Sequence, residues 1–121
     1  MRCVFCELND ETIHENEWVV AFFDRYPVTK GHVLIVPKRH VESYFDMQLK
    51  ERQAIDEALF TVKRYLDETH QPEGYNVGMN LGEHAGQTVA HAHVHLIPRY
   101  AGDVEDPRGG VRAVIPARQR Y

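Results

Sequence analysis

The sequence predicts an α+β domain with a mostly antiparallel sheet. Two short runs rich in β-branched and aromatic residues stand close together at 17–23 and 32–36, and such runs read as paired strands. After Leu49 the apolar residues Ile55, Leu59, Val62 and Leu66 recur at helical intervals, with Ala58 on the same stripe. Farther on, residues 91–96 alternate histidine with small or apolar side chains at period two, a strand pattern. Strand, strand, helix, strand, strand is the order of an α+β domain.

A chain of 121 residues holds one domain, 1–121, with no internal repeat or composition break to divide it. Its 43% apolar and 26% charged content is ordinary for a globular protein. A net charge of −4 argues against a nucleic-acid partner, because such binding rests on neutralising many phosphates with Lys and Arg. A small anionic ligand stays open, since local donors decide it. No apolar run approaches the ~20 residues of a membrane helix, so no membrane partner is expected. The start, Met1-Arg2-Cys3, lacks the apolar core of a signal peptide. A cytoplasmic location is expected.

In chain order, residues 7–16 are polar and mixed, with Ile13 as the inward anchor. The run 17–23 stops at Asp24-Arg25-Tyr26-Pro27. Residues 28–31 turn, and His32-Val33-Leu34-Ile35-Val36 forms the second strand, closed by Pro37. So short a connection makes the two strands antiparallel neighbours. Asp46 is the expected N-cap of the helix. Glu51, Arg52, Asp56, Lys63, Arg64 and Asp67 fall off its apolar stripe and read as solvated surface. Pro72 and Gly74 end it. Residues 75–80 are the third strand, interrupted by Gly78, and 81–85 loop over to Gly86. Beyond Arg99 the segment 100–110 is loop-like, and 111–115 reads as a short closing strand.

Chemistry concentrates in Gly86-Gln87-Thr88-Val89-Ala90-His91-Ala92-His93-Val94-His95-Leu96-Ile97-Pro98-Arg99. On a strand, His91, His93 and His95 point to one face, about 6.6–7 Å apart at a rise of ~3.3–3.4 Å per residue. A row of imidazoles on an exposed face suits separate roles better than one shared metal. A neutral imidazole attacks phosphorus through its free nitrogen, giving a covalent phosphoramidate that water hydrolyses. Its other nitrogen needs an acceptor to fix the tautomer, and the phosphate oxygens need donors. The only cysteines, Cys3 and Cys6, are spaced Cys-x-x-Cys. That spacing fits a redox pair, a zinc site or two plain thiols. A redox motif opens a helix after a strand, and none precedes it here. Zinc is the better reading, given two more ligands elsewhere.

The His-x-His-x-His run followed by two apolar residues resembles the signature of the histidine triad (HIT) family, and the resemblance extends from Cys3 to about Asp103. It implies a HIT-like α+β fold, a mostly antiparallel five-stranded sheet with one long helix, in homodimers. It also implies roles. His93 is the nucleophile, His95 contacts the phosphate under attack, and Gln87 and Thr88 place donors on the phosphates and leaving group. Asn80, in Asn-x-Gly with Gly82, lies near the same phosphates. Asp24 holds the ribose hydroxyls, as a carboxylate acceptor does, and His32 lines the pocket. His14, His70 and His84 match nothing in the family pattern and read as surface histidines.

A subset of the family carries an N-terminal Cys-x-x-Cys whose zinc is completed by the histidine of a Pro-Lys-x-His segment and by the first triad histidine. Cys3, Cys6, His40 in Pro37-Lys38-Arg39-His40, and His91 stand in those places. The resemblance thus implies one structural zinc per chain, in a closed set of two cysteines and two histidines.

The expected function is that of a nucleotide hydrolase or nucleotidyl transferase working through a covalent nucleotidyl-histidine at the α-phosphate. The Gly-Gln-Thr-Val-x-His lead and the Pro-Arg-x-Ala-Gly-Asp exit are most similar to the family's dinucleoside polyphosphate hydrolases, which favours diadenosine tri- or tetraphosphate as substrate. The alternatives are a nucleoside phosphoramidase, a phosphate-dependent phosphorylase and a non-catalytic nucleotide-binding module. A metal-storage protein would instead fill the triad and hold more than one zinc. In the tail, Arg108 and Arg112 either reach a polyphosphate as charge-assisted donors or lie in solvent.

Overall fold

The computed structural model describes residues 3–7 and 11–121. Met1 and Arg2, and residues 8–10 of the stretch read as polar, lie outside the described residues. Five strands form one sheet: β1 (Thr12–Glu15), β2 (Val19–Phe23), β3 (Val33–Pro37), β4 (Gly74–Gly78) and β5 (Val94–Arg99), in the spatial order β1-β2-β3-β5-β4. Every neighbouring pair is antiparallel. The helix α1 (Leu49–Thr69) joins β3 to β4. Among the described residues no helix is long and apolar enough to cross a membrane.

Period-two alternation gives the sheet two unlike faces. Val19, Ala21, Val33, Ile35, Val94 and Leu96 meet Ile55, Ala58, Val62 and Leu66 of α1 in the main core. Burying such side chains stabilises by about 1.5–3 kcal/mol each. The alternate residues Phe22, Leu34 and Val36 point the other way and form a second cluster with Phe5. The helix covers the first face, and the chemistry sits on the second.

Three expectations change. The fifth strand is β1, not 111–115. The sequence showed little of β1 because it is a four-residue edge strand with polar ends, although Ile13 does pack inward. Residues 110–114 instead form a 3-10 turn, followed by a second at Pro116–Arg118. Gly109 and Gly110 adopt φ of 92° and 47°, which bends the chain back on itself. A Cβ on Gly109 would stand 1.8 Å from the Gln119 carbonyl oxygen, so the close return needs glycine there.

The start of α1 also differs. Its N-cap is Gln48, while Asp46 ends a 3-10 turn (Tyr44–Asp46) where Ser43 Oγ accepts from Phe45 N at 3.1 Å. Glu51 is not solvated surface. It is 1% exposed, accepts the Gln48 N–H at 2.9 Å, and takes Arg39 Nη2 at 2.7 Å and Nε at 3.2 Å. This bidentate pair holds the Glu51 carboxyl below the usual carboxylate range. It also pins the turn that carries Lys38-Arg39-His40 to the helix.

Candidate active site and metal centre

Register places the first residues. Phe22 lies opposite Leu34, and Leu34 opposite His95, so all three share the face away from the helix. One step beyond the strand ends, Asp24 N donates to the His32 carbonyl at 2.9 Å. This brings Asp24 and His32 beside His95. The first two triad histidines precede the regular strand, which starts at Val94. Around them the backbone bends, and Ala92 N donates to the Val41 carbonyl at 2.7 Å. The expected row of imidazoles on an exposed face is therefore corrected: His91 is fully buried and His93 is 8% exposed. Phe5 lies over both, its ring 5.9 Å from His91 and 5.1 Å from His93. The His93 and His95 rings are 5.1 Å apart, edge to face.

Hydrogen bonds assign the imidazole tautomers. A carbonyl only accepts, so His93 Nδ1, 3.0 Å from the His91 oxygen, carries the proton. In the neutral ring this leaves the lone pair on Nε2. His32 Nδ1 accepts the Val28 N–H at 3.0 Å, which puts the His32 proton on Nε2. That proton is donated to His95 Nδ1 at 2.9 Å, so His95 in turn keeps its proton on Nε2. Burial lowers His95 to about 4, with the charges of His93 and His32 adding to the effect and Asp24 opposing it. Burial lowers His32 as well, again against Asp24. Near pH 7 both rings are neutral, and His95 is a neutral N–H donor.

His91 follows the same logic to a different end. Its Nε2 donates to the Pro37 carbonyl at 2.8 Å, leaving the Nδ1 lone pair free. That atom lies 3.4 Å from Cys3 Sγ, 3.5 Å from Cys6 Sγ and 3.2 Å from His40 Nδ1. Cys6 Sγ is 3.3 Å from His40 Nδ1, and all four ligand atoms lie within 4.8 Å of one another. Tetrahedral zinc, with bonds near 2.3 Å to sulfur and 2.0–2.1 Å to nitrogen, sets its ligands about 3.3–3.8 Å apart. The cluster thus has the donor set and the spacing for zinc. Cys3 raises the Cys6 thiol, chiefly by its hydrogen bond, and a bound divalent cation would relieve that conflict.

The remaining residues divide between two clefts. Asp24 Oδ1 accepts the Tyr26 N–H at 3.0 Å and so does cap its turn, while Oδ2 stands 3.5 Å from His32 Nε2. A cavity of about 340 Å³ is lined by Val4, Phe5, Phe22, Asp24, Leu34 and Thr88, among others. A second, of about 390 Å³, brings Asn80 together with His32 and His95, and the tail residues Val111 and Val114 form part of its wall. Gln87 is engaged within the protein. Its Nε2 donates to the Glu42 and Val89 carbonyls at 2.9 and 3.0 Å, and its Oε1 accepts from Gly82 N at 2.8 Å. Thr88 beside it is exposed. Of the three histidines read as surface residues, His84 is exposed, His14 pairs with Glu57 at 3.2 Å, and His70 packs its ring 6.1 Å from Phe23. Sequence reasoning did not single out Phe5. The signal was its place between the two cysteines.

Residues 6–102 match the model of the HIT domain family. The chain is 37% identical over 104 residues to "Protein hit" of Bacillus subtilis, covering 82% of this chain and 72% of that protein. It is also 37% identical over 103 residues to a Mycobacterium tuberculosis protein named AP-4-A phosphorylase, covering 80% of this chain and 52% of that one. The crystal structure of a zinc-bound histidine triad family protein from Mycobacterium smegmatis superposes with a TM-score of 0.76 at 29% identity, covering 95% of this chain and 91% of the other. A sheet of this topology with three histidines leading into its fourth-positioned strand, and a family match across most of the chain, have one reading: the chain belongs to the HIT domain family.

Proposed function

We propose that this protein cleaves dinucleoside polyphosphates by nucleophilic attack of His93 on the α-phosphorus. The observation that carries the reading is the His93 Nδ1 bond to the His91 carbonyl, which leaves the ring's lone pair on Nε2. Attack forms an Nε2–P bond as the bridging P–O bond breaks, and the leaving nucleoside polyphosphate takes the electron pair. His95 Nε2–H, held by His32, donates to the phosphate oxygens where charge develops. Water then attacks phosphorus, the N–P bond breaks, and nucleoside monophosphate and a proton are released, restoring His93. Asp24 holds the ribose, Thr88 supplies a hydroxyl donor, and Asn80 faces the phosphates in the cleft it shares with His95. Gln87 acts through the loop it braces, presenting Thr88.

Cys3, Cys6, His40 and His91 hold one zinc in this reading, and its chemistry is structural, with all four positions filled by the chain. A homodimer also belongs to the proposal. β4 is an edge strand with Val77 half exposed, and a second copy would cover that edge.

The relative named AP-4-A phosphorylase favours one second reading, in which inorganic phosphate replaces water and the product is a nucleoside diphosphate. The test is to incubate zinc-loaded protein with diadenosine tetraphosphate, with and without phosphate, and separately with adenosine phosphoramidate. AMP plus ATP, lost in His93→Ala, is the expected result. ADP plus ATP only with phosphate gives the phosphorylase, and turnover of the phosphoramidate alone gives a phosphoramidase. AMP binding with no turnover of any substrate would overturn the enzymatic reading in favour of a nucleotide-binding module.

A further inference from the structure

Cys3 and Cys6 bracket Val4 and Phe5, and those two residues form a wall of the 340 Å³ cavity that also holds Asp24 and Thr88. The segment 3–7 is a single turn, closed by Cys6 N and Glu7 N donating to the Cys3 carbonyl at 3.1 and 3.2 Å. One turn does not hold its shape alone, because nucleation fixes several dihedral angles for one hydrogen bond. The thiols fasten it at His40 and His91, and the Phe5 ring lies on the sheet, 5.8 Å from Phe22 and 5.1 Å from His93.

We propose that the metal cluster and the nucleotide pocket work as one unit, with zinc at Cys3, Cys6, His40 and His91 setting nucleotide affinity by holding Phe5 against His93 and Phe22. This rests on the nucleotide reading above. The 340 Å³ cavity joins apolar walls to one carboxylate, the pairing that a nucleoside needs: ring faces for the base and an acceptor for ribose hydroxyls. Phe5 and Val4 are the part of that wall carried by the turn between the two cysteines, which no strand or helix supports. Without the metal, binding must order the segment 3–7 in addition to placing the ligand, which weakens affinity. The coupling is reciprocal, so nucleotide also tightens the metal.

AMP affinity is the measurement, taken by calorimetry on four forms: wild type and Phe5→Ala, each zinc-loaded and chelator-stripped, with circular dichroism to confirm the fold. Stripping the wild type is expected to weaken AMP about tenfold or more. Loaded Phe5→Ala, still holding one zinc, should show a similar loss, and stripping it should add less than about twofold. An AMP affinity unchanged by stripping, or losses that multiply, would overturn the proposal. Should the stripped chain unfold, zinc release to a chromophoric chelator decides: AMP slows it in the wild type and not in Phe5→Ala, and equal slowing in both refutes the coupling. If loaded wild type binds no AMP, the nucleotide reading fails, and the coupling to affinity fails with it. Proton NMR then separates out the clip itself. His93 ring resonances that move on stripping the wild type but not on stripping Phe5→Ala show Phe5 held by the metal; resonances that stay put, or move equally in both, reject the clip as well.

Discussion

Two clusters of ligand-type side chains lie on the same face of the sheet, a few residues apart in the same histidine run. Cys3, Cys6, His40 and His91 form one, and Asp24, His32 and His95 form the other. Both are tight enough to enclose an ion, and they differ in where their lone pairs go. In the first, the His91 far nitrogen donates its proton to the Pro37 carbonyl, so its near nitrogen joins two thiols and an imidazole around one point. In the second, the Val28 N–H fills His32 Nδ1 and the His32 proton fills His95 Nδ1. The two rings keep no lone pair between them, so His32 and His95 form a relay of fixed protons with the Asp24 carboxylate beside it. Backbone partners outside each cluster, more than the ligand types inside it, separate a candidate metal centre from a donor chain.

The largest effect that tests this contrast is on His93, which stands between the clusters. His93→Ala should lower turnover about a thousandfold or more, ~4 kcal/mol in the barrier, with zinc content still one per chain by elemental analysis. Zinc removal comes next. Stripping the metal should lower the thermal midpoint by roughly 8–12 °C, about 2–3 kcal/mol for a domain of this size. Zinc titrated in excess should stop at one per chain; a second tight zinc would mean that the His32–His95 relay is a ligand site after all.

A smaller effect is expected at His32. His32→Ala removes the donor to His95 Nδ1 and should lower kcat by about 10–100-fold, with zinc retained. The pH profile sharpens the test. A histidine lowered to about 4 is neutral above that pH and takes up a proton as pH falls through it, so the His95 ring resonances, followed by proton NMR, should keep their neutral positions down to pH 5. Without His32 the His95 ring gains solvent and loses a neighbour whose charge holds it down, so its titration should move up towards that of a free imidazole. The same depressed value predicts folding stability that rises with pH between about 4 and 6.5, because there the unfolded chain binds the extra proton. The smallest effect is Glu51→Gln, which weakens the grip on Arg39. With the guanidinium half exposed, a loss of about 1–2 kcal/mol by denaturant titration is expected. Glu51 is held low, so its contribution is present above the ordinary carboxylate range and fades as pH falls through its folded value.

Local patterns in the sequence revealed the strands from 17 to 36, the helix and the Cys3–Cys6 pair, because periodicity and ligand spacing are short-range, while His40 and His91 came from the family resemblance. What it hid depends on contacts distant in the chain. The His32–His95 bond needs the β3–β5 register. The burial of Glu51 needs Arg39, which precedes it by a strand end and a turn. Gln87 reads as a donor from its neighbours alone, and only the folded loop shows its amide bound to Glu42 and Val89. The misread strand at 111–115 had the right composition, Val, Ala, Val and Ile, and the wrong glycines before it.

The seam between β3 and β5 has a consequence for folding order. β1, β2 and β3 are successive in the chain and β4 meets β5 across one loop, so each half assembles from nearby segments. Joining the halves closes a long loop that includes α1, and such closures are the slow, entropically demanding steps of folding. His32, His95, His40 and His91 face one another across that closure. The working site therefore exists only in chains that have completed the last pairing, and local opening of that seam would silence the protein before the rest of the sheet gives way.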